Sequence, residues 1–204
     1  MRTIHLTVAA IALAAASAVS AQTTVYTSSA SFLPNVLAGS YTEGFENNID
    51  FSGEPSFDFS GGAFGYTVAA PTGLYGNGVF IGTNLPNEPL TVTFTGAPVT
   101  AVGGNFYATN ISDVFQPVSI TLTLSNGHVT TFMPTSPDNS YRGFTTALSI
   151  TSLTLSAPGA SLYVGMDNLT VGAVPEPGTY AMMALGLAAL GGFAARRHQQ
   201  GQAA

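Results

Sequence analysis

A mainly β protein, an antiparallel β-sandwich of jelly-roll kind, is predicted by three observations. Apolar and hydroxyl residues alternate with a period of two in several short runs, Gly and Pro punctuate those runs closely, and no long amphipathic helix interrupts them. Leu90, Val92 and Phe94 against Thr91, Thr93 and Thr95 give one half-buried strand. Val118, Ile120, Leu122 and Leu124 alternate with Ser119, Thr121, Thr123 and Ser125, and Asn126-Gly127 tolerates the positive φ of a tight turn into a partner strand at 128–133. Further strands are expected at 41–46, 57–59, 64–69, 78–82, 99–108, 142–146, 150–156 and 161–171. Only 29–37 reads as helical, and Pro34 keeps it short or bent. The Gly-rich run 73–82 reads as a mobile loop, and 172–177 as a linker. No repeat of fixed period appears, which argues against a solenoid or propeller.

The two ends of the 204-residue chain read differently from this body. Arg2 and His5 precede an apolar run and then the small residues Ser17, Ala18, Ser20 and Ala21 before Gln22, the layout of a secretory signal peptide cleaved between Ala21 and Gln22. At the other end, Val174, Pro175, Glu176, Pro177 and Gly178 lead into 17 uncharged residues, 179–195, and then Arg196 and Arg197. As a helix that stretch spans roughly 25 Å, the short limit for a membrane core of about 30 Å. The arginines sit at its cytoplasmic flank, so the body lies outside. The organisation expected is a signal peptide at 1–21, a β-sandwich at 22–172 and a tail at 173–204, with motif 174–178, one transmembrane helix at 179–195 and a basic end at 196–204.

Composition narrows the chemistry. Only 7% of residues are charged, and Cys and Trp are absent, as is Lys. Disulfides, Cys-ligated metals, thiol nucleophiles, Schiff bases and the phosphate-loop lysine are thereby excluded. Nine carboxylates between 22 and 174 face Arg142 alone, so no basic stripe exists to neutralise phosphates and nucleic acid is not an expected partner. The acidic excess suits a solvated face, or calcium, which needs only oxygen ligands. His128 is the single histidine of the body and makes no two- or three-His metal site; no G-x-S-x-G elbow occurs. No catalytic set emerges, and the body is expected not to be an enzyme, although a glycosidase needs only two carboxylates.

Asp167 is the most informative carboxylate. Leu162, Val164 and Met166 are apolar at even positions, Leu169 and Val171 at odd ones, so the inward parity changes across Asp167-Asn168. Either a bulge resets the register, or Asp167 points inward and needs a partner. Tyr66, Tyr75, Tyr107 and Tyr141, near expected loops or strand ends, are candidates to stack on sugar rings.

The sequence from Val174 to Gly178, with a short apolar helix and a basic end, resembles the PEP-CTERM sorting tail of Gram-negative bacteria. That resemblance implies export through the inner membrane by the secretion machinery, recognition of Pro175, Glu176 and Pro177 by a membrane-embedded exosortase, a stop at Arg196 and Arg197, and transient membrane anchoring before release to the cell surface or exopolysaccharide matrix. The same tail is also called an ice-binding protein C-terminal domain, a label for the tail rather than for ice. The order of Gly44-Phe45-Glu46, Val99–Phe106, Tyr141-Arg142-Gly143-Phe144 and Met166-Asp167-Asn168-Leu169 resembles carbohydrate-binding jelly rolls. In calcium-binding modules of that kind an early Glu and a terminal-strand Asp share one metal; Glu46 and Asp167 occupy matching places, with Glu43 and Asn168 as further ligands. The reading is then a non-catalytic module for extracellular polysaccharide. Alternatives are a structural matrix protein without a specific ligand, a secreted glycoside hydrolase, and an ice binder using Thr91, Thr93 and Thr95.

Overall fold

The computed structural model describes residues 22–47, 51, 53–175 and 185–187. Chain order runs β1 (Thr24–Tyr26), α1 (Ser29–Phe32), a 3₁₀ turn (Leu33–Asn35), β2 (Tyr41–Glu43), β3 (Ser56–Gly61), β4 (Phe64–Ala69), β5 (Leu74–Gly76), β6 (Ile81–Thr83), β7 (Leu90–Phe94), β8 (Val99–Thr109), β9 (Phe115–Gln116), β10 (Ile120–Leu124), β11 (Val129–Phe132), β12 (Tyr141–Ile150), β13 (Ser152–Ser156) and β14 (Tyr163–Gly172). They form two antiparallel sheets, a sandwich-like fold. One follows β1-β12-β8-β14-β6-β5, with β2 added on β14 and β9 on β8; the other follows β11-β10-β13-β7-β4-β3.

Alternation explains the two layers. Leu90 and Val92 of β7, Ile120, Leu122 and Leu124 of β10, and Leu153 and Leu155 of β13 turn inward to meet Val102, Phe106 and Ala108 of β8, Phe144 of β12, and Val164, Met166, Leu169 and Val171 of β14 in one core. The intervening hydroxyls face out and pair across strands, as in Thr121 with Thr131 at 3.1 Å and Thr91 with Thr154 at 3.4 Å. Such pairs let the outer face of the six-stranded sheet stay polar with few charges. The compact unit Thr23–Pro175 contains this entire core and a second, smaller cluster of Phe32, Ala101 and Tyr141, so it carries its own fold.

The second cluster lies on the outer face of the eight-stranded sheet. Ser28 caps α1 by accepting from the Ser31 amide at 3.2 Å, and Pro34 opens the 3₁₀ turn that ends the helix, as the sequence predicts. This short element presses Phe32 onto Gly103 and Gly143, where a Cβ on Gly143 would lie 2.6 Å from the Phe32 ring. Tyr26 and Tyr141 flank that ring at 5.8 and 6.1 Å.

Several expectations need correction. The run 73–82 is a hairpin, not a loop: Leu74 and Ile81 reach the core, and Phe80 lies over Gly82 and Gly165, where any Cβ would meet its ring. The strand expected at 41–46 ends at Glu43, because Phe45 takes φ 59° and drops fully buried against Phe59, with ring centroids 5.2 Å apart. Strands β1 and β9 were too short to register as alternation. The linker at 172–177 does not begin at Gly172, which belongs to β14: Ala173 accepts from the Leu37 amide at 2.8 Å, and the Val174 amide donates to Thr100 at 2.9 Å. The signal peptide at 1–21, residues 176–178, and Arg196 and Arg197 lie outside the described residues, as does the span 179–195 apart from the helical residues 185–187. Among the described residues no helix is long and apolar enough to cross a membrane.

Candidate functional site

Asp167 sits at a register shift in the pairing of β14 with β8, between its own pairing with Asn105 and that of Thr170 with Gly103. Asn168 takes φ 52° there, the left-handed region that Asn tolerates. The bulge turns Val164 and Met166 inward on one side and Leu169 and Val171 inward on the other. Of the two readings of the parity change, the bulge is the one observed.

The Asp167 carboxylate folds back on the bulge, accepting from the Asn168 amide at 2.6 Å and from its side-chain amide at 2.7 Å. Burial pushes its pKa up to about 6, the Asn168 amide opposes this, and the negative charge of Glu46 adds to the rise. Glu46 is exposed just beyond β2, and its charge is the smallest of the three causes acting on the Asp167 pKa. Glu43 is differently employed. Its side chain accepts from the Tyr41 hydroxyl and, at 3.1 Å, from the Phe45 amide, shaping the exit of β2. Among the described residues no three His, Cys, Asp or Glu cluster as a metal would need from side chains alone. A hard cation here would rest on Glu46, Asp167 and Asn168 with carbonyl oxygens completing its shell.

The four candidate tyrosines separate by burial. Tyr66 is 0% exposed, packed against Phe59 at 5.4 Å and Tyr41 at 6.0 Å. Tyr107 and Tyr141 are 5% and 6% exposed, and burial is the main cause raising the pKa of each of these three phenols. Rings so covered cannot lie against a sugar, so these three pack the fold; alternation locates a face but not what covers it. Tyr75 alone stays partly open.

Tyr75 borders a cleft of about 180 Å³ between the β5–β6 hairpin and the loop from β8 to β9, lined by Tyr75, Phe80, Thr83, Asn84, Thr109, Asn110, Ile111, Asp113 and Tyr163. Its hydroxyl donates to Asp113 Oδ2 at 2.7 Å, and Asn77 donates to the same oxygen at 3.2 Å. That hydrogen bond is the main cause of the raised Tyr75 pKa. Asp113 adopts φ 59°, held by Asn110, whose side-chain oxygen accepts the amides of Ser112 and Val114 at 2.9 and 3.1 Å. Burial is the main cause raising the Tyr107 pKa, and the charges of Asp167 and Asp113 add to it. Sequence reasoning missed Asp113, Asn84, Asn110, Thr83 and Tyr163; the Asn110-Ile111-Ser112-Asp113 turn between apolar runs was the available signal.

His128 bonds through Nε2 to the Thr130 hydroxyl at 2.8 Å and packs edge-on to Phe144 at 5.7 Å, a structural role. Arg142 lays its guanidinium 3.8 Å from the centre of the Phe132 ring and donates to the Tyr141 carbonyl at 2.6 Å, and burial lowers its pKa. The body's one guanidinium is thus spent on packing.

Comparison with known proteins is decided by the end of the chain. Residues 173–197 match the PEP-CTERM protein-sorting motif. The motif suggests an exosortase-sorted exported protein, directed to the cell envelope or surface. It begins where the sandwich closes, since Ala173 and Val174 are bonded to the body. No curated protein and no solved structure matches the chain.

Proposed function

We propose that this protein is carried out of the cell, processed by an exosortase at its PEP-CTERM tail after transient membrane anchoring, and left at the surface or in the matrix as a non-catalytic, jelly-roll-type module for extracellular polysaccharide. The observation that carries the binding reading is the Tyr75–Asp113 cleft. An open aromatic edge stands there beside a carboxylate and two amides, the side-chain types that meet the apolar faces and hydroxyls of sugars, whereas Tyr66, Tyr107 and Tyr141 are buried.

Calcium belongs to the same proposal. A half-buried Asp167 opposed by Glu46 is an arrangement that a divalent cation would relieve. Binding rather than hydrolysis fits because neither Asp167 nor Glu46 lines the Tyr75 cleft, where Asp113 is the one carboxylate among the lining residues. The test is co-sedimentation of the protein with exopolysaccharide from the producing cells, with calcium and with chelator. Saturable binding supports the module; no binding in either condition leaves a structural matrix role, and release of reducing ends would indicate a hydrolase.

A further inference from the structure

The Tyr75–Asp113 cleft has a polar floor and an apolar rim, and the combination specifies more than sugar in general. Its volume, about 180 Å³, is below the roughly 300–1,000 Å³ of sites for drug-sized ligands, so it holds one ring rather than a length of chain. Asp113 offers its Oδ1, since Oδ2 is occupied by Tyr75 and Asn77. Thr83 lines the same cleft, is 1% exposed, and its hydroxyl has no hydrogen-bond partner among the described residues. A buried hydroxyl left unpaired is costly, and a ligand group reaching the floor would pair it.

No cation lines the cleft, and a carboxylate does, so an acidic sugar is repelled and a neutral one with donating hydroxyls is favoured. At the mouth Ile111 lines the cleft and is 82% exposed, an apolar side chain open to solvent. Such a rim favours a ring carrying an apolar substituent over one bearing hydroxyls at every position.

Resting on the polysaccharide-binding reading, we infer that this cleft takes a single neutral pyranose residue of a glycan, one bearing a methyl or acetamido group, with Asp113 and Thr83 holding its hydroxyls and Ile111 covering the substituent.

The test is amide chemical-shift titration of the Thr23–Pro175 body, which contains its whole core. The probes are methyl α-L-rhamnopyranoside, N-acetylglucosamine, methyl α-D-glucopyranoside and glucuronate. The first two should shift amides of 75–84 and 109–114 saturably, the plain glucoside should bind more weakly, and glucuronate should not shift them. Asp113→Asn should weaken both preferred probes about tenfold, the worth of a hydrogen bond to a charged acceptor. Ile111→Asn, at a solvent-facing position that folding does not depend on, should abolish the preference over the glucoside. Absence of saturable shifts in the cleft, or glucuronate binding as well as the others, overturns the inference. Co-sedimentation with the polymer on the same sample separates the two failures: polymer bound with a silent cleft removes this site alone, whereas no polymer bound removes the module reading as well.

Discussion

Replacing Asp167 with Asn isolates the electrostatics of the bulge. Raising this carboxyl from 3.8 to about 6 disfavours its charged form by about 3 kcal/mol at most. Solvent screening of a half-buried group reduces that to about 1.5 kcal/mol. Asp167 ionises less readily folded than unfolded, so its contribution to stability is fully present below about pH 4 and is lost as the pH climbs through about 6. An Asn side chain keeps an acceptor for the Asn168 amide and removes the charge facing Glu46. In chelator near neutral pH, the Asp167→Asn variant should therefore melt roughly 3–6 °C above wild type, a difference that closes at about pH 4. Calcium at about 100 times its dissociation constant should raise wild-type stability by about 2.7 kcal/mol and leave the variant unmoved. Thermal denaturation followed by circular dichroism reads all four conditions. A variant that melts below wild type in chelator near neutral pH, and still responds to calcium, would refute both the strain assigned to Asp167 and its part in holding a cation.

Other consequences are independent of calcium. Gly143→Ala drives a methyl into the fully buried Phe32 ring and should cost roughly 1–3 kcal/mol in urea unfolding. Phe45→Ala empties the site beside Phe59 and should cost about 3–5 kcal/mol by the same measurement. Thr100→Val removes the acceptor of the Val174 amide; exchange at that amide should speed up by about a factor of ten while the global midpoint barely moves. Arg142→Lys keeps the charge but loses the flat guanidinium on Phe132, and should lower stability by about 0.5–1 kcal/mol.

What could be read from sequence was what depends on a strand's own period. The alternation at Leu90–Phe94 and Ile120–Leu124 marks strands without reference to anything else, and Asn126-Gly127 dictates its turn, with Gly127 at φ 88° and the His128 amide on the Asn126 side chain. The change of parity at Asp167 marked the place but left a bulge and an inward-pointing side chain both open, and the register shift there is the bulge. Of the hairpin Leu74–Thr83, the second arm overlaps the strand expected at 78–82, but the first arm was hidden, and Gly82, which looks like a loop residue, is where Phe80 lies, as it also does on Gly165 of β14. The tyrosines misled for a similar reason: Tyr141 is covered by α1, which lies far away in sequence. Asp113 was passed over because its importance comes from Tyr75 and Asn77 reaching it across 38 and 36 positions. The acidic pair Glu46 and Asp167 was legible only as a resemblance.

The most direct measurement is the binding isotherm of the folded Thr23–Pro175 body on exopolysaccharide from the producing cells, in calcium, for wild type and for Tyr75→Ala. Saturable wild-type binding, weakened about tenfold or more by loss of the Tyr75 ring and hydroxyl, is the predicted result. A folded wild-type body that does not bind, or a Tyr75→Ala variant that binds equally well, would contradict a glycan module built around this cleft.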